Sequence, residues 1–538
     1  MSDSSEPRVT LVMTARERYS LTEGVIDGIV ADTTAPYRFM YLDCASPRWL
    51  RDILDARAAE WNLDVARFDE PLWPQQARDR IIGRIATEYV VFLDNDVTVE
   101  PGWLEALIAC ADETRAGIVA PLYLLGDGVR PAMVHMAGGT LVRQHLPEGV
   151  VLEESHRLQD TDPRQVRLER GPCDFGEFHC MLVRSSLLHD GGLDPEILCV
   201  HEHIDFALSS KARGYDVYLE PDARVTYLGL AEYMLDDLDF LRKRWAPRDV
   251  DTSIAAFCRK HGVVDDERSF GDARRFTDRH VALVDPVHRR HRARGGAVMT
   301  RDEHRQTRSG LMDLALDCGY LPDELTLIAN SHRLAHVLMS GGYRPCGRPF
   351  VDHLVGTASV LVRYGFRADV VAAGLLHAAY THAPARLGHG QAAADAISES
   401  LGGEGSAIES RVRAYTRRES AGSGPPPVDV PRLSLQEAEI IAIVAANEID
   451  LHLSGELKYS GRTDALSEAR MREIGSVCRL IGVEGLHATL CEAREHFVLA
   501  QDWLQTQVQS SYRIARGDAR VMPMYNNVLS AVQARGDR

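Results

Sequence analysis

The stretch YVVFLDNDVTVEPGWLEAL, residues 89–107, decides the fold of the N-terminal half of this chain. Its first five residues form an apolar run rich in β-branched and aromatic side chains, which predicts a buried strand. Asp94-Asn95-Asp96 follows that run directly, and Pro101-Gly102-Trp103 predicts that a helix begins soon afterwards. A buried strand that ends in acidic residues is typical of α/β domains, which bind ligands at the carboxyl ends of their strands.

Strand and helix patterns alternate on the N-terminal side of this stretch. They predict strands at Arg8–Thr14, Arg38–Asp43 and Leu63–Phe68 and helices at Leu21–Ala31, Pro47–Ala59 and Gln75–Thr87. Such alternation predicts a mainly parallel sheet that is covered by helices. Thr14 and Arg16 follow the first strand, Asp43 ends the second, and Asp94 and Asp96 follow the fourth. We therefore expect these side chains to share one edge of the sheet.

Composition limits the classes of function. The chain has 538 residues, which favours two or more domains, and its net charge of −17 argues against general affinity for nucleic acid. No apolar run reaches the ~20 residues of a membrane-spanning helix, and the polar N-terminus does not resemble a signal peptide. The ten cysteines form no CxxC pair. We expect a cytoplasmic protein without a membrane span, and we interpret the basic run 288–294 as a solvated linker.

The central stretch resembles the middle of the family-2-type glycosyltransferases with the GT-A fold. MLVRSSLLHDGGLDPEI, residues 181–197, and HEHIDFALSSKARGYDVYLEP, residues 201–221, are similar to the acceptor-side segment of that family. The resemblance covers roughly residues 7–230. It implies a Rossmann-like mixed sheet and a metal-dependent transfer of a sugar to a hydroxyl acceptor. The implied donor is a nucleotide diphosphate sugar linked to UDP, GDP or dTDP, and the implied cofactor is Mn²⁺ or Mg²⁺.

The resemblance also assigns residues to the donor and the metal. Asp94 and Asp96 would serve the metal, because a hard divalent cation prefers carboxylate oxygens and offsets the charge of a diphosphate. The residues that would line the nucleotide-sugar pocket are Thr14, Arg16, Asp43, Arg78, Asp79 and Asp94. The family often has Asn at the position of Asp79. Asp43 would accept hydrogen bonds from the base, and Asp94 would also contact the ribose.

The acidic motif Glu202-His203-Ile204-Asp205 supplies the candidate catalytic residues. Many inverting members of the family have an Asp general base where this chain has His203. A neutral imidazole can accept the proton of a hydroxyl, or Glu202 and Asp205 can provide the base or orient His203. Two other interpretations stay open at this point: a retaining mechanism, which needs no such base, and an acidic first turn that only complements the helix dipole.

A second departure from the family occurs at Tyr227, where a His often completes the metal shell. The metal then depends on Asp96, phosphate and water, or His201 or His203 replaces the missing ligand. Three polar residues precede the acceptor-side strand, namely Asp174, Glu177 and His179. They are interpreted either as hydrogen-bond partners of sugar hydroxyls or as solvated loop residues.

The C-terminal half has helical periodicity throughout, and residues 330–455 resemble the HD-type metal phosphohydrolases. GRPFVDH, which ends at His353, and VVAAGLLHAAY, which contains His377, match two histidine positions of that superfamily. Ala378 stands where an Asp belongs, and Asn447 lies near the position of the last Asp. Two imidazoles without carboxylates hold a hard cation poorly. His353, His377 and Asn447 are therefore interpreted as a vestigial site, with Asp352, Glu448 and Asp450 as candidate replacement ligands.

These observations predict a glycosyltransferase domain over residues 1–250 and a helical linker over 251–310. An all-α, HD-like and non-hydrolytic domain follows over 311–505, with a helical tail over 506–538. The alternative function is an HD-type nucleotide or metal phosphohydrolase whose N-terminal half only binds a nucleotide. A third hypothesis gives the helical half a docking role, including homo-oligomer formation. The expected acceptor is a small molecule or an envelope precursor, and the donor sugar and its base stay open at this point.

Overall fold

The computed structural model describes residues 6–129, 132–189, 193–284, 296–344, 346–382, 391–420, 429–457 and 466–496. The chain divides into two compact units, residues 1–284 (unit 1) and 285–538 (unit 2). The basic run 288–294 and the predicted tail 506–538 lie outside the described residues, as do the two adjacent glycines within the 181–197 segment.

Unit 1 is built on a mixed sheet, which confirms the α/β prediction. Its strands are β1 (Val9–Thr14), β2 (Tyr37–Cys44), β3 (Leu63–Phe68), β4 (Tyr89–Asp94), β5 (Val97–Val99), β6 (Ile118–Leu125), β7 (Met133–Met136), β8 (Gly139–Leu146), β9 (Gly149–His156), β10 (Gly171–Cys173), β11 (Cys180–Arg184) and β12 (Val217–Tyr227). The strand order is β10-β12-β6-β11-β4-β1-β2-β3, with β5 on β12 and β7 on β6. β1 is parallel to both β2 and β4, and β2 is parallel to β3. The predicted parallel half is therefore present.

Helices cover this sheet, and every residue of β1 and β4 is buried. The helices of unit 1 are α1 (Thr22–Asp32), α2 (Arg48–Arg57), α3 (Pro74–Arg80), α4 (Trp103–Thr114), α5 (Ser186–His189), α6 (Glu202–Ala212), α7 (Leu238–Arg244), α8 (Pro247–His261) and α9 (Glu267–Val284). A strand buried on both faces needs apolar side chains at successive positions, which explains the continuous run YVVFL. The helix predicted over Gln75–Thr87 ends at Arg80, and a 3₁₀ turn follows at Ile82–Arg84.

The strand β11 runs antiparallel between β4 and β6, and its register is decisive for the site. Cys180 pairs with Leu93, so His179 comes to lie opposite Asp94, whose backbone N–H donates to the His179 carbonyl at 3.1 Å. Strand–helix alternation predicts only parallel neighbours. It therefore gave no indication of this juxtaposition.

A second, two-stranded sheet pairs β8 with β9 within residues 127–170, whose richness in Gly, Pro and charge predicts a variable loop or small hairpin. The Val264 N–H donates to the Val150 carbonyl at 2.8 Å, and the Leu152 N–H donates to the Ser269 hydroxyl at 3.1 Å. These bonds attach the α8–α9 segment to the hairpin. Unit 1 accordingly extends through α9, into residues for which the sequence predicts a linker.

Unit 2 is helical. Its helices are α10 (Arg308–Asp317), α11 (Pro322–Met339), α12 (Phe350–Arg363), α13 (Ala368–Leu376), α14 (Ala379–His382), α15 (Gln391–Ser400), α16 (Gly405–Ser420), α17 (Leu435–Leu453) and α18 (Glu468–Leu480), with a further helical stretch over 484–496. α17 is the central helix, because all residues from Ala438 to His452 are buried. The all-α prediction is confirmed, whereas the HD-like fold stays a prediction. Among the helices described, none has the length and hydropathy needed to cross a bilayer.

Candidate functional site

The ends of β1 and β4 bring the first strand-end cluster together. Thr14 pairs with Asp94 across the two parallel strands. The Asn95 side chain accepts from the Arg16 N–H at 3.0 Å and donates to the Arg18 carbonyl at 2.6 Å and to the Thr22 hydroxyl at 2.8 Å. The middle residue of the Asp-Asn-Asp motif thus fixes the loop after β1. That loop carries two arginines onto the two aspartates.

The Asp94 carboxylate is buried and fully engaged. It accepts from Arg78 Nη2 at 2.9 Å and from Arg16 Nη1 at 3.3 Å, and its Oδ2 lies 3.1 Å from His179 Nδ1. Burial acts to raise the pKa of Asp94. The contacts with His179, Arg16 and Arg78 outweigh burial and hold the pKa below its ordinary value. Asp94 is therefore ionised at neutral pH.

The Asp96 carboxylate is equally buried but only half satisfied. Its Oδ2 lies 3.4 Å from Arg18 Nη1, and its Oδ1 has no hydrogen-bond partner among the described residues. Burial and the neighbouring charge of Asp94 raise the pKa of Asp96 to about 7. A buried carboxylate oxygen without a partner costs free energy. That cost falls if a cation binds there.

His179 completes a group of potential metal ligands with Asp94 and Asp96, whose ligand atoms all lie within 4.8 Å of one another. The ring of Tyr227 stacks on the His179 ring, with centroids 4.0 Å apart and planes 27° apart. Tyr227 thus stands behind a histidine from the loop that precedes β11. Two carboxylates and one imidazole, with Oδ1 of Asp96 free to bind, form a donor set that fits a divalent cation.

Arginines neutralise this acidic cluster. Arg18 Nη1 lies 3.6 Å from Glu17, and its guanidinium carbon lies 3.8 Å from the centroid of the Tyr233 ring. Asp94 and Asp96 are 1% and 0% exposed, whereas the side chain of Arg16 is 16% exposed. The two aspartates at this edge of the sheet are thus shielded from solvent in this structure. The side chain of Arg16, which pairs with Asp94, is itself partly exposed to solvent.

Asp43 ends β2 beside this cluster. One carboxylate oxygen accepts from the Ser46 N–H at 2.9 Å, and the other lies 3.4 Å from Arg51 and 3.7 Å from Arg67. Several buried polar atoms on β1, β2 and α3 have no hydrogen-bond partner in the described part of the chain: Thr14 Oγ1, Asp43 Oδ2, both side-chain amide atoms of Gln75, and Nε and Nη1 of Arg78. Asp79, the next residue on α3, is half-buried. Of the predicted nucleotide residues, Thr14, Asp43 and Arg78 therefore retain capacity to bind a polar ligand.

The three predicted catalytic residues differ in their surroundings. Asp205 lies 2.8 Å from Lys260 Nζ and 2.7 Å from His261 Nε2, so its charge is compensated by α8. Glu202 lies 3.5 Å from Arg244. His203 Nε2 is buried and has no partner among the described residues, and burial lowers the pKa of this imidazole. Of the three, His203 has the freest proton-accepting atom.

His201, a suggested replacement for the missing metal ligand, is structural in its contacts. Its backbone is in the left-handed region at φ 60°, where it precedes α6. Its ring packs against Phe257 and Phe270, with centroids 5.3 and 4.9 Å away, and burial lowers its pKa to about 3. Within the described residues, neither His201 nor His203 belongs to a three-ligand group.

A second cluster of histidines borders His179, and sequence reasoning missed most of it. Glu177 Oε2 lies 2.8 Å from His135 Nε2 and 3.8 Å from His179 Nε2, and Glu177 Oε1 lies 3.9 Å from His156 Nε2. Burial lowers the pKa of His156 to about 4. His135 lies in β7 and His156 ends β9, within the region that the sequence predicts as variable. The available signal was only that two histidines, His135 and His156, precede Glu177 in this region.

The predicted vestigial site of unit 2 is assembled only in part. The rings of His353 and His377 lie 5.3 Å apart, and the Asp450 carboxylate lies 2.6 Å from His353 Nδ1. Arg348 donates to both oxygens of Asp450, at 3.1 and 2.7 Å, and His304 Nε2 lies 2.9 Å away. A guanidinium therefore supplies the positive charge next to the carboxylate.

The other predicted residues of this site do not form a ligand group. Asn447 is buried on α17, three residues before Asp450. Ala378 has a methyl side chain and therefore offers no ligand atom. His377 donates from Nδ1 to the Gly374 carbonyl at 2.7 Å. Among the residues that the structure describes, both groups of three potential metal ligands lie in unit 1.

Comparison with known proteins bears on unit 1. Residues 10–192 match the model of the Glycosyl transferase family 2. Unit 1 contains a glycosyl transferase family 2 domain. Two curated relatives, both named Pre-mycofactocin glycosyltransferase and from two strains of Mycobacterium tuberculosis (CDC 1551 / Oshkosh and ATCC 25618 / H37Rv), are each 25% identical over 175 residues. The matched segment is 32% of this chain and 34% of each relative.

Two solved structures are also similar. GalNAc-T7 with UDP, GalNAc and Mn²⁺ is 14% identical, with a TM-score of 0.35 and coverage of 52% of this chain and 57% of that chain. The mannosyltransferase PcManGT from Pyrobaculum calidifontis, in complex with GDP-Man and Mn²⁺, is 14% identical, with a TM-score of 0.30 and coverage of 52% and 81%.

Proposed function

We propose that unit 1 is a divalent-cation-dependent glycosyltransferase that moves a sugar from a nucleotide diphosphate sugar to a hydroxyl acceptor. The observation that carries the proposal is the group of Asp94, Asp96 and His179, with ligand atoms within 4.8 Å of one another and one carboxylate oxygen that has no partner among the described residues. The family match over residues 10–192 supports the same chemistry, because it covers the strand-end cluster.

Asp94, Asp96 and His179 would hold the cation, which when bound neutralises charge that develops on the leaving diphosphate. A mixed oxygen and nitrogen donor set accepts Mn²⁺ readily, and Mg²⁺ favours all-oxygen sites. We therefore propose Mn²⁺ ahead of Mg²⁺. Arg16 and Arg78, which now pair with Asp94, are also placed to contact the phosphates of the donor.

The donor nucleotide would lie along β1, β2 and α3. Asp43 Oδ2 has no hydrogen-bond partner within the described part of the chain and would accept from the N–H of a base, and Thr14 and Gln75 add hydrogen-bonding atoms that likewise lack partners there. Two arginines, Arg51 and Arg67, flank the same oxygen of Asp43 at 3.4 and 3.7 Å. A bound base would share this carboxylate with them. The donor would carry UDP, GDP or dTDP.

In the reaction, the acceptor oxygen forms a bond to the anomeric carbon while the bond from that carbon to the diphosphate breaks. The nucleoside diphosphate leaves with the electron pair, and the acceptor hydroxyl loses its proton. We propose that His203 Nε2 takes this proton, because the atom has no partner within the described chain and burial keeps the imidazole neutral. Asp205 is compensated by Lys260 and His261, and Glu202 pairs with Arg244, so neither carboxylate is the first choice for the base.

For unit 2 we propose an accessory role without hydrolysis, carried by a helical domain with an HD-like arrangement. The supporting observation is the Arg348–Asp450 pair, at 2.7 Å, which places a guanidinium where a hydrolase would need a cation. Asp352 and Glu448 are not brought into a three-ligand group within the described residues. Formation of homo-oligomers through this unit stays a prediction.

The test is ligand-dependent stability and donor hydrolysis by the full chain. We expect Mn²⁺ together with one of UDP-, GDP- or dTDP-sugars to raise the melting temperature, because a ligand that binds only the native state stabilises it. Asp96→Ala should remove the Mn²⁺-dependent shift and donor hydrolysis. Asp222→Ala, which changes an exposed carboxylate on β12, is the matched control and should keep both. Hydrolysis at an unchanged rate in folded Asp96→Ala would end the proposal.

A further inference from the structure

The cluster around Glu177 offers ligands of a different kind from the Asp94–Asp96 pair. His135, Glu177 and His179 form a second group of potential ligands whose atoms all lie within 4.8 Å of one another. His156 adds a third imidazole beside the other oxygen of Glu177. The four come from β7, β9 and the loop before β11, so three separate segments of the chain converge on one carboxylate.

We propose that His135, His156, Glu177 and Nε2 of His179 form a second divalent-cation site, distinct from the Asp94–Asp96 position. The two nitrogens of His179 point to different partners. Nδ1 lies 3.1 Å from Asp94, whereas Nε2 lies 3.8 Å from Glu177. One ring thus borders both positions. Each nitrogen can serve the position that it faces.

The distances around Glu177 Oε2 are close to those between the ligands of a tetrahedral ion. A cation with bonds of about 2.1 Å to nitrogen and oxygen requires neighbouring ligand atoms about 3.4 Å apart. Glu177 Oε2 lies 2.8 Å from His135 and 3.8 Å from His179, which are values on both sides of that separation. His156 faces the other oxygen, Oε1, at 3.9 Å and lies outside the group of atoms within 4.8 Å of one another, so its side chain would have to rotate to become the fourth ligand.

The donor chemistry selects the class of metal. Three imidazoles and one carboxylate suit Zn²⁺, Co²⁺ or a similar borderline cation, whereas the Asp94–Asp96 pair suits a harder cation. One positive group opposes binding: Arg16 Nη1 lies 3.4 Å from both nitrogens of His179. Its pairs with Asp94 and Glu17 partly offset that charge. The site is also accessible, because the side chains of His135, His156 and Glu177 are 15%, 18% and 11% exposed.

The experiment is Co²⁺ titration of the purified full chain after treatment with a chelator, followed by visible absorption and metal quantification. We expect Asp96→Asn to retain a tightly bound Co²⁺ whose spectrum is that of a tetrahedral, nitrogen-rich site. His135→Gln and His156→Gln should each weaken that binding by at least about tenfold, and excess Zn²⁺ should displace the Co²⁺. His145→Gln, which changes an exposed histidine on β8, should bind as the wild type does.

The variants separate this inference from the proposed function, with which it shares His179. Co²⁺ that is lost in His135→Gln and His156→Gln, but kept in Asp96→Asn, supports the second site even if donor hydrolysis proves independent of metal. Co²⁺ that is lost only in Asp96→Asn overturns the second site and leaves the proposed function intact. Far-UV circular dichroism of each variant checks that it is folded. Wild-type affinity in both folded histidine variants also overturns the proposal.

Discussion

Unit 1 and unit 2 each bury an aspartate among arginines and histidines, yet the two carboxylates differ in what they leave open. In unit 2, both oxygens of Asp450 are engaged by Arg348, His304 and His353 at 2.6–3.1 Å. In unit 1, Asp96 has one oxygen near Arg18 and one without a partner among the described residues. Burial raises the pKa of Asp96 to about 7, whereas the contacts of Asp450 hold its pKa far below the ordinary value despite burial.

This difference separates a structural ion pair from a ligand position. Asp450 contributes to folding and leaves no oxygen open, and in unit 1 it is Asp96, rather than the equally engaged Asp94, whose oxygen lacks a partner among the described residues and from which cation binding can begin. A carboxylate with a free oxygen and a raised pKa is instead held at a cost to stability, which is a feature of functional sites. Composition alone does not distinguish the two clusters, because both contain Asp, His and Arg. The number of carboxylate oxygens that lack a hydrogen-bond partner among the described residues distinguishes them.

The largest effect should follow from breaking the satisfied cluster. Asp450→Asn leaves Arg348 without its closest carboxylate in a buried place, and we expect a loss of about 3 kcal/mol in the stability of unit 2. Glu456, 3.2 Å from Arg348, limits the loss. Hydrogen exchange of amides in α17 measures it in the full chain, with β4 amides as an internal reference. Unchanged protection of α17 would show that the Asp450 pairs carry little stability.

The second effect concerns the Glu202–Asp205 motif at the start of α6, where a group with an atom unengaged among the described residues again lies near a carboxylate whose charge is compensated. We expect His203→Gln to reduce glycosyl transfer by about a hundredfold with donor binding unchanged, because His203 has a free Nε2. Asp205→Asn, which changes a carboxylate already held by Lys260 and His261, should mainly lower stability. Turnover numbers and melting temperatures of both variants check this. Equal turnover in His203→Gln and the wild type would transfer the role of the base to another residue.

The third effect is acid sensitivity of unit 2. Burial, with the neighbouring His353, lowers the pKa of His377 to about 3, against an ordinary value near ~6.5. As the pH falls below ~6.5, the unfolded chain binds a proton at this histidine and the native state does not. Stability therefore falls from about pH 6.5 toward pH 3, by at most about 1.4 kcal/mol per pH unit for this group.

Hydrogen exchange of α17 amides at several pH values, corrected for intrinsic rates, gives this slope. His377→Gln should make it shallower, since the group that takes up the proton is gone. Asp450 contributes acid sensitivity only below about pH 4, because its native pKa is lowered from the ordinary value of a carboxyl group. An identical slope between pH 6.5 and 4.5 in wild type and variant would assign the acid sensitivity to other groups.

The sequence predicted the parallel half of the fold because local patterns determine it. Apolar runs mark β1, β2 and β4, and the residues that end them share an edge, as Thr14 and Asp94 do across the register. The helical nature of unit 2 followed from periodicity in the same way. The antiparallel insertion of β11 did not follow, because pairing between strands almost a hundred residues apart leaves no local pattern.

The missed part of the candidate site has the same cause. His179 was placed before an acceptor-side strand, but only the pairing of β11 with β4 brings it to Asp94. His135 and His156 lie on short strands whose surroundings are set by tertiary contacts. Residues that follow a predicted strand could be assigned to the site from sequence. Residues that an antiparallel strand brings to the site could not be assigned to it from sequence.

The smallest expected effect tests why Tyr227 replaces a histidine at the end of β12. Its hydroxyl donates to Glu17 at 3.4 Å, a long hydrogen bond, whereas its ring stacks on His179. We expect Tyr227→Phe to change stability by less than about 1 kcal/mol and activity by about twofold at most, since the stack is kept. Tyr227→Ala removes the support of the His179 ring and should lower the affinity for Mn²⁺. Because a phenylalanine cannot bind a metal, a large loss of Mn²⁺ affinity in Tyr227→Phe would mean that the hydroxyl itself is a ligand, and that His179 is not the residue that completes the shell.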